Sequence, residues 1–159
     1  MRPRNQPMTT SYPVDQWITE LGRHYRIEQL RLNEQRILAL AIGDGLSVHM
    51  QAIAATQTLV FYASVVVMSE PLTPGLLVAM LQANRFWYET GGATLSLDDQ
   101  TPPRAILAQS FRFRDLDVPR LVEAFENFAG ALQAMHEWLE PEVKVARPQA
   151  DSPAFMQRA

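Results

Sequence analysis

The 159-residue chain contains no cysteine. This absence excludes disulfide bonds, thiolate zinc sites and cysteine nucleophiles, and it is compatible with a reducing compartment. Residues 1–10 are followed by no apolar run of the ~7–15 residues that a secretory signal peptide requires. The longest apolar run, residues 59–68, is about half of the ~20 residues that span a membrane. We therefore expect a cytoplasmic protein without membrane insertion.

Positive charge is also scarce. The 14 Lys and Arg residues stand against 17 Asp and Glu, which gives a formal net charge of −3. Nucleic-acid binding needs a concentrated basic surface, because each phosphate contact takes a cation. The densest basic cluster is Arg112, Arg114 and Arg120, and Asp115 and Asp117 interrupt it. The sequence therefore excludes nucleic acid as a partner.

Motifs of catalysis and of cofactor binding are missing as well. The three histidines, His24, His49 and His136, form no pair at the i, i+4 spacing of a helical metal site. The glycine-containing turns are too short to cradle a phosphate, and no serine lies in a GxSxG turn. We predict that the protein is not an enzyme and requires no cofactor or metal. A small enzyme whose site assembles from distant residues is the alternative.

Apolar periodicity predicts one α+β domain over residues 11–140, between a disordered segment at 1–10 and a loose Pro-containing tail at 141–159. Thr73-Pro74 is a strong helix start, Gly91-Gly92 is expected to end that helix, and Pro141 is expected to end the last one. The order is helix, three strands, helix, two strands, helix, with helices packed on an antiparallel sheet. The predicted elements, in chain order, are a helix from residue 11 or 13 to 25, strands at 37–42, 46–52 and 58–68, a helix at 74–90, strands at 94–98 and 105–113, and a helix at 117–140.

Apolar surface is present in excess. The third strand is apolar on both faces, with Leu59, Phe61, Ala63, Val65 and Val67 on one and Val60, Tyr62, Val66 and Met68 on the other. A helix on each face would account for this pattern, and a partner covering one face is the alternative. Three successive aromatic residues close the middle helix and point over more than one face. We therefore predict a homodimer whose interface contains Leu77, Met80, Leu81, Asn84, Phe86 and Trp87.

A second apolar surface is a candidate site for cargo. Trp17 and Ile18 lie on the short first helix, and Val48 and Met50 lie on the second strand. A groove lined by these four side chains would suit varied apolar partners, since methionine adapts its shape easily. The alternative is that all four belong to the hydrophobic core.

Several short motifs occur in an order that resembles the class I type III secretion chaperones, the Tir-chaperone-like group of bacteria. The first helix ends in Leu21-Gly22, and Gly43-Asp44-Gly45 joins two strands. The middle helix carries Leu-Gln-Ala-Asn at residues 81–84, similar to the family's Leu-x-Ala-Asn. Residues 91–98, Gly-Gly-Ala-Thr-Leu-Ser-Leu-Asp, are close to its Gly-Gly-x-x-Leu-x-Leu-Asp strand. The similarity runs from about residue 14 to residue 140.

The resemblance implies a homodimer that binds the N-terminal chaperone-binding segment of one or more secreted effector proteins. The bound segment stays non-globular and competent for secretion, and the chaperone hydrolyses no ATP. Apolar pockets would take cargo side chains, and a strand edge would accept a cargo strand. The ATPase of the secretion apparatus is a further candidate partner. A protein-binding or regulatory module of the same fold, unconnected with secretion, is the alternative function.

Overall fold

A computed structural model describes residues 11–146 and confirms the predicted α+β order. The predicted disorder at residues 1–10 and most of the predicted tail lie outside the described residues. Two single 3-10 turns, Arg85–Trp87 and Phe113–Asp115, join the main elements. These elements are α1 (Val14–His24), β1 (Ile37–Gly43), β2 (Leu46–Ile53), β3 (Thr58–Val67), α2 (Pro74–Ala83), β4 (Thr94–Leu97), β5 (Arg104–Arg112) and α3 (Val118–Ala146).

The five strands form one antiparallel sheet in the order β1-β2-β3-β5-β4. The first three strands are the predicted meander, and Gly43, Asp44 and Gly45 make the turn between β1 and β2. All three have a positive φ, which glycine and aspartate tolerate better than most residues. Because β5 lies between β3 and β4, the two edges of the sheet are β1 and β4.

One face of the sheet packs against α1 and α3. Leu59, Phe61, Ala63 and Val65 of β3 are buried there, and the Phe61 and Phe128 rings meet edge to face at 5.7 Å. The opposite face of β3 is only half-buried. A bulge lies between Ser64 and Val66, and beyond it Val67 is exposed while Met68 is buried. The prediction placed Val67 on the face of Leu59 and Met68 on the other face, which is the reverse of the structure. Period-2 alternation does not reveal a bulge, and a bulge exchanges the two faces beyond it.

The middle helix begins as predicted, with Thr73 as its N-cap and Pro74 in its first turn, but it ends earlier than predicted. α2 stops at Ala83, and the chain leaves the helix through the Arg85–Trp87 turn, in which Phe86 and Trp87 both have positive φ. Gly91-Gly92 instead leads the chain into β4. A positive φ is uncommon for bulky residues, so the surrounding structure must stabilise this turn.

The last helix passes through Pro141, which was predicted to end it, and continues to Ala146. A proline inside a helix removes one backbone hydrogen bond and costs about 3 kcal/mol. Burial of a side chain beyond the proline offsets part of this cost, and an exposed ion pair adds little. Val143 is buried in the core, and Lys144 pairs with Glu140 at 2.9 Å across the proline. The domain boundary predicted at residue 140 is therefore wrong, because residues 141–146 are part of the fold.

The hairpin between β4 and β5 contains an acid-sensitive contact. The Asp98 carboxylate accepts hydrogen bonds from the backbone N–H and from Nε of Arg104, at 2.7 and 2.6 Å. The backbone bond, followed by the side-chain bond, lowers the pKa of Asp98 below its ordinary value of 3.8. A depressed pKa in the folded state contributes stability that is present above the unfolded value and is lost as the pH falls through the folded value.

We therefore expect Asp98→Asn to flatten the acid limb of the stability curve. Urea titrations between about pH 5 and pH 2 should show a smaller loss of unfolding free energy for the variant than for the wild type, because asparagine does not titrate. Asp99→Asn, one residue away, is the control and should retain the wild-type slope. Identical slopes for all three proteins would contradict this role of Asp98.

Candidate partner-binding surfaces

The four residues predicted to bind cargo lie in the hydrophobic core. Ile18, Val48 and Met50 have no exposed surface, and Trp17 is 8% exposed. The Trp17 ring packs against Tyr12 and Phe113, each at 6.3 Å. A groove lined by these side chains is not open in this structure, so the predicted groove is corrected to core packing. The helical stripe and the strand alternation correctly identified the apolar faces of the first helix and the second strand. These faces line the hydrophobic core, however, and not an open groove.

The six residues predicted for the dimer interface divide into two groups. Met80 is buried, Leu77 is half-buried, and the Asn84 side chain is hydrogen-bonded to the backbone of β4. Leu81, Phe86 and Trp87 are exposed, and Leu81 is 72% exposed. They belong to a larger exposed apolar group on α2 and the turn that follows it, which we call the α2 ridge. It consists of Val78, Leu81, Phe86, Trp87 and Tyr88.

The α2 ridge continues onto the half-buried face of the sheet. Trp87 borders a cleft of about 420 Å³ together with Val60 and Ala108, and its Nε1 donates to Thr94 Oγ1 at 3.4 Å. The helix itself, PGLLVAMLQA, carries no charged residue. A helix that is apolar all round is normally covered by other protein, so the ridge has the composition of an interface.

The outer edge of β1 offers backbone hydrogen-bonding groups to a partner. Along an antiparallel strand, successive residues alternately direct their N–H and C=O toward and away from the neighbouring strand. Arg36 O accepts from Ala52 N of β2, and Ile37 bonds in the opposite direction, to Asn33. By this alternation the N–H and C=O of Ala39 and Ala41 point away from β2.

A groove of about 510 Å³ runs beside this edge, and we call it the β1–α3 groove. Its walls are the β1 residues Leu40, Ala41 and Ile42 and one side of α3, where Ala129 and Gly130 leave space. Tyr25, Ile27, Phe125, Glu126 and Gln133 complete the lining. The sequence signal for this groove was the pair of small residues, Ala129-Gly130, within the apolar stripe of α3, and the sequence prediction missed it.

One wall of the β1–α3 groove is polar. The Tyr25 hydroxyl donates to Glu126 Oε1 at 3.0 Å, and the Tyr25 ring packs edge to face on Phe125. Burial, followed by the hydrogen bond to Glu126, raises the pKa of Tyr25 to about 12. The hydroxyl therefore stays protonated at physiological pH, and the groove combines an apolar floor with a fixed hydrogen-bonded pair.

Over residues 11–146, no helix has both the length and the apolar character needed to cross a membrane. The same residues contain no cluster of three or more His, Asp or Glu side chains placed to hold a metal ion.

Comparison with solved structures shows the same fold in proteins of low sequence identity. The structure of the ExsC–ExsE complex contains a chain that is 19% identical, with a TM-score of 0.65 over 84% of this chain and 96% of that one. The ExoU–SpcU complex from the type III secretion system of Pseudomonas aeruginosa gives 22% identity and a TM-score of 0.60, over 83% and 98%. YbjN, a putative transcription regulator from E. coli, gives 19% identity and 0.57, over 82% and 91%.

No curated protein matches the sequence. The model of one protein family does match it, over residues 16–136, which extends from α1 to the second half of α3 and includes the whole sheet. The order of elements and the motifs at residues 81–84 and 91–98 all fall within this span. The chain belongs to the Tir chaperone protein (CesT) family.

Proposed function

We propose that this protein is a cytoplasmic type III secretion chaperone that binds the N-terminal segment of a secreted effector and keeps it non-globular. Membership of the Tir chaperone family supports this function. So does the fold shared with chains of the ExsC–ExsE and ExoU–SpcU complexes, the second of which comes from a type III secretion system. The function requires binding and no catalysis, so the protein acts without a cofactor.

The feature that carries the proposal is the β1 edge beside the β1–α3 groove. An extended effector segment would pair its backbone with Ala39 and Ala41 and extend the sheet by one strand. Alternate side chains of an added strand point to opposite faces, so every second cargo residue would enter the groove beside Phe125. Backbone pairing supplies affinity and the groove supplies selectivity, as in other cases of strand addition.

A second copy of the chain is the proposed partner of the α2 ridge. The ridge is apolar, continuous with the half-buried face of the sheet, and remote in sequence from the cargo edge. Cores of homodimer interfaces are rich in aromatic residues and poor in charge, which matches Leu81, Phe86 and Trp87. Dimerisation would provide two cargo edges in one particle, so that a single effector segment could contact both.

Co-expression tests the function directly. The chain should form a stable complex with the N-terminal segment of a secreted protein encoded beside it, and gel filtration should show both polypeptides in one peak. Failure of every such segment to bind would contradict the chaperone function.

We expect Ala39→Pro to weaken effector binding at least tenfold. Proline removes the outward N–H of residue 39, while an edge strand tolerates proline because no ladder bond is lost. Isothermal titration with the effector segment measures the change in Kd. Ala39→Val retains the N–H group and should bind within about twofold of the wild type. Equal affinity for the two variants would show that cargo does not pair at this edge.

A regulatory module that sequesters a non-secreted protein is the second candidate function. The likeness to YbjN, a putative transcription regulator, supports it, because that protein has the same fold. The same co-expression experiment separates the two functions, since a regulator would bind a partner that carries no secretion signal.

A further inference from the structure

The side chain of Asn84 makes the pair of hydrogen bonds to β4 that a neighbouring strand would make. Its Nδ2 donates to Leu95 O at 2.8 Å, and Leu95 N donates to its Oδ1 at 2.7 Å. Both groups of Leu95 point away from β5, because a residue of an antiparallel strand directs its N–H and C=O to the same side. They are therefore the edge groups of β4, and Asn84 occupies both of them.

The neighbouring position on the same edge is occupied in part. The N–H of Ala93, two residues before Leu95, donates to Thr90 O at 3.2 Å. An added strand needs an uninterrupted row of N–H and C=O groups at every second residue. β4 has only four residues, Thr94–Leu97, so the occupied pair at its second residue leaves no row of useful length.

A second asparagine occupies the corresponding groups of β1 with its side chain and its backbone N–H. Asn33 N donates to Ile37 O at 2.9 Å, and Ile37 N donates to Asn33 Oδ1 at 2.9 Å. The outward groups of Ile37 are thus occupied, while the next outward positions on the strand are Ala39 and Ala41. The two asparagines lie at opposite edges of the sheet; Asn84 makes both bonds with its side chain, whereas Asn33 makes one with its side chain and one with its backbone N–H. Together they leave one short stretch of edge for a partner.

We propose that Asn33 and Asn84 are specificity-determining residues that confine strand addition to the stretch from Ala39 to Ala41. Asn84 closes the β4 edge, and Asn33 sets the end of the β1 edge and with it the register and length of the added strand. This inference rests on the proposed function, since it specifies where that function takes place. Closing β4 also removes a template for edge-to-edge aggregation.

The test measures backbone amide exchange by NMR in the full-length chain, with and without a strand probe. The probe is a capped synthetic peptide of the chain's own β2 sequence, LSVHMQAI, which is already the antiparallel partner of β1. Without the probe, Asn84→Ala should speed exchange of the Leu95 amide roughly tenfold, because a hydrogen bond is lost. Asn84→Asp should retain the protection, since its carboxylate still accepts from Leu95 N. Asn33→Ala should speed only the Ile37 amide.

With the probe, the wild type should gain protection at Ala39 and Ala41 and none at Leu95. Asn84→Ala should gain protection at Leu95 as well. Asn33→Ala should gain it at the Ile37 N–H alone, because the backbone N–H of residue 33 still occupies Ile37 O. Probe protection of Leu95 in the wild type would overturn the inference, and so would an opened Leu95 amide in Asn84→Ala that the probe leaves unprotected. Absence of protection at Ala39 and Ala41 in the wild type would instead contradict strand pairing by β1, while the exchange rates without the probe would still decide whether the asparagines close the edges.

Discussion

Leu81→Glu is expected to convert a homodimer into a monomer without unfolding the chain. Leu81 is 72% exposed on the α2 ridge, so a glutamate there remains hydrated in the separated chain. In a dimer that covers the ridge, the carboxylate would be buried without a partner, which costs about 3–5 kcal/mol. That cost corresponds to a weakening of the dimer by a factor of about 100 to several thousand. Light scattering should therefore show a fall from about twice the chain mass to the 18.0 kDa of one chain.

The matched control is Gln82→Glu, which places the same charge on the next residue of α2. Gln82 is also exposed but lies outside the apolar ridge, so this variant should remain dimeric. Trp87→Glu tests the other end of the ridge and should dissociate the dimer as Leu81→Glu does. A wild-type protein that is monomeric at micromolar concentration would exclude a dimer interface at the α2 ridge. If Leu81→Glu remained dimeric, the dimer interface would lie elsewhere on the chain.

The order of elements could be predicted from sequence because its signals are local. Thr73-Pro74 marks the start of α2, and the Gly-Asp-Gly turn at residues 43–45 joins β1 and β2, as the structure confirms. The end of α2 was predicted too late because the contact made by the residue that follows the helix is not local in sequence. The Asn84 side chain bonds to Leu95, eleven residues further along, and no helix-stop rule includes such a contact.

The binding surfaces were harder to predict because apolar periodicity identifies a buried face without saying what covers it. Trp17 and Met50 were placed correctly on apolar faces, but these faces are covered within the chain: Tyr12 and Phe113 pack on Trp17, and Met50 has no exposed surface. The proposed cargo edge depends on strand order. Only the placement of β5 between β3 and β4 makes β1 and β4 the edges of the sheet, and that placement results from long-range pairing.

Asn84 belongs to a recognisable sequence motif, but the motif does not reveal which groups the side chain contacts. Asn84 was assigned to the dimer interface as part of the middle helix, whose surplus of apolar and aromatic side chains predicted that interface. In the structure the amide faces β4 and bonds within the chain. An amide carries both a donor and an acceptor, so only the folded geometry reveals which backbone groups it occupies.

Met50→Glu is expected to destabilise the fold severely, which is the strongest test of the corrected core assignment. Met50 has no exposed surface, and its strand partners are Leu38 and Phe61, both buried. A carboxylate at this position has no cationic partner among these neighbours, and an unpaired buried charge costs about 3–5 kcal/mol or more. A domain of this size is stable by only about 5–15 kcal/mol. The substitution therefore removes a large part of the stability, and all of it if the domain lies at the lower end of that range.

Two variants separate this effect from a general sensitivity of β2. Gln51→Glu introduces the same charge on the half-buried opposite face and should change the unfolding free energy by about 0.5 kcal/mol or less. Met50→Leu retains the apolar volume and should cost less than about 1.5 kcal/mol. Urea titration followed by tryptophan fluorescence measures all three. If Met50→Glu folded with wild-type stability and lost only effector binding, Met50 would line an open groove and its assignment to the core would be wrong.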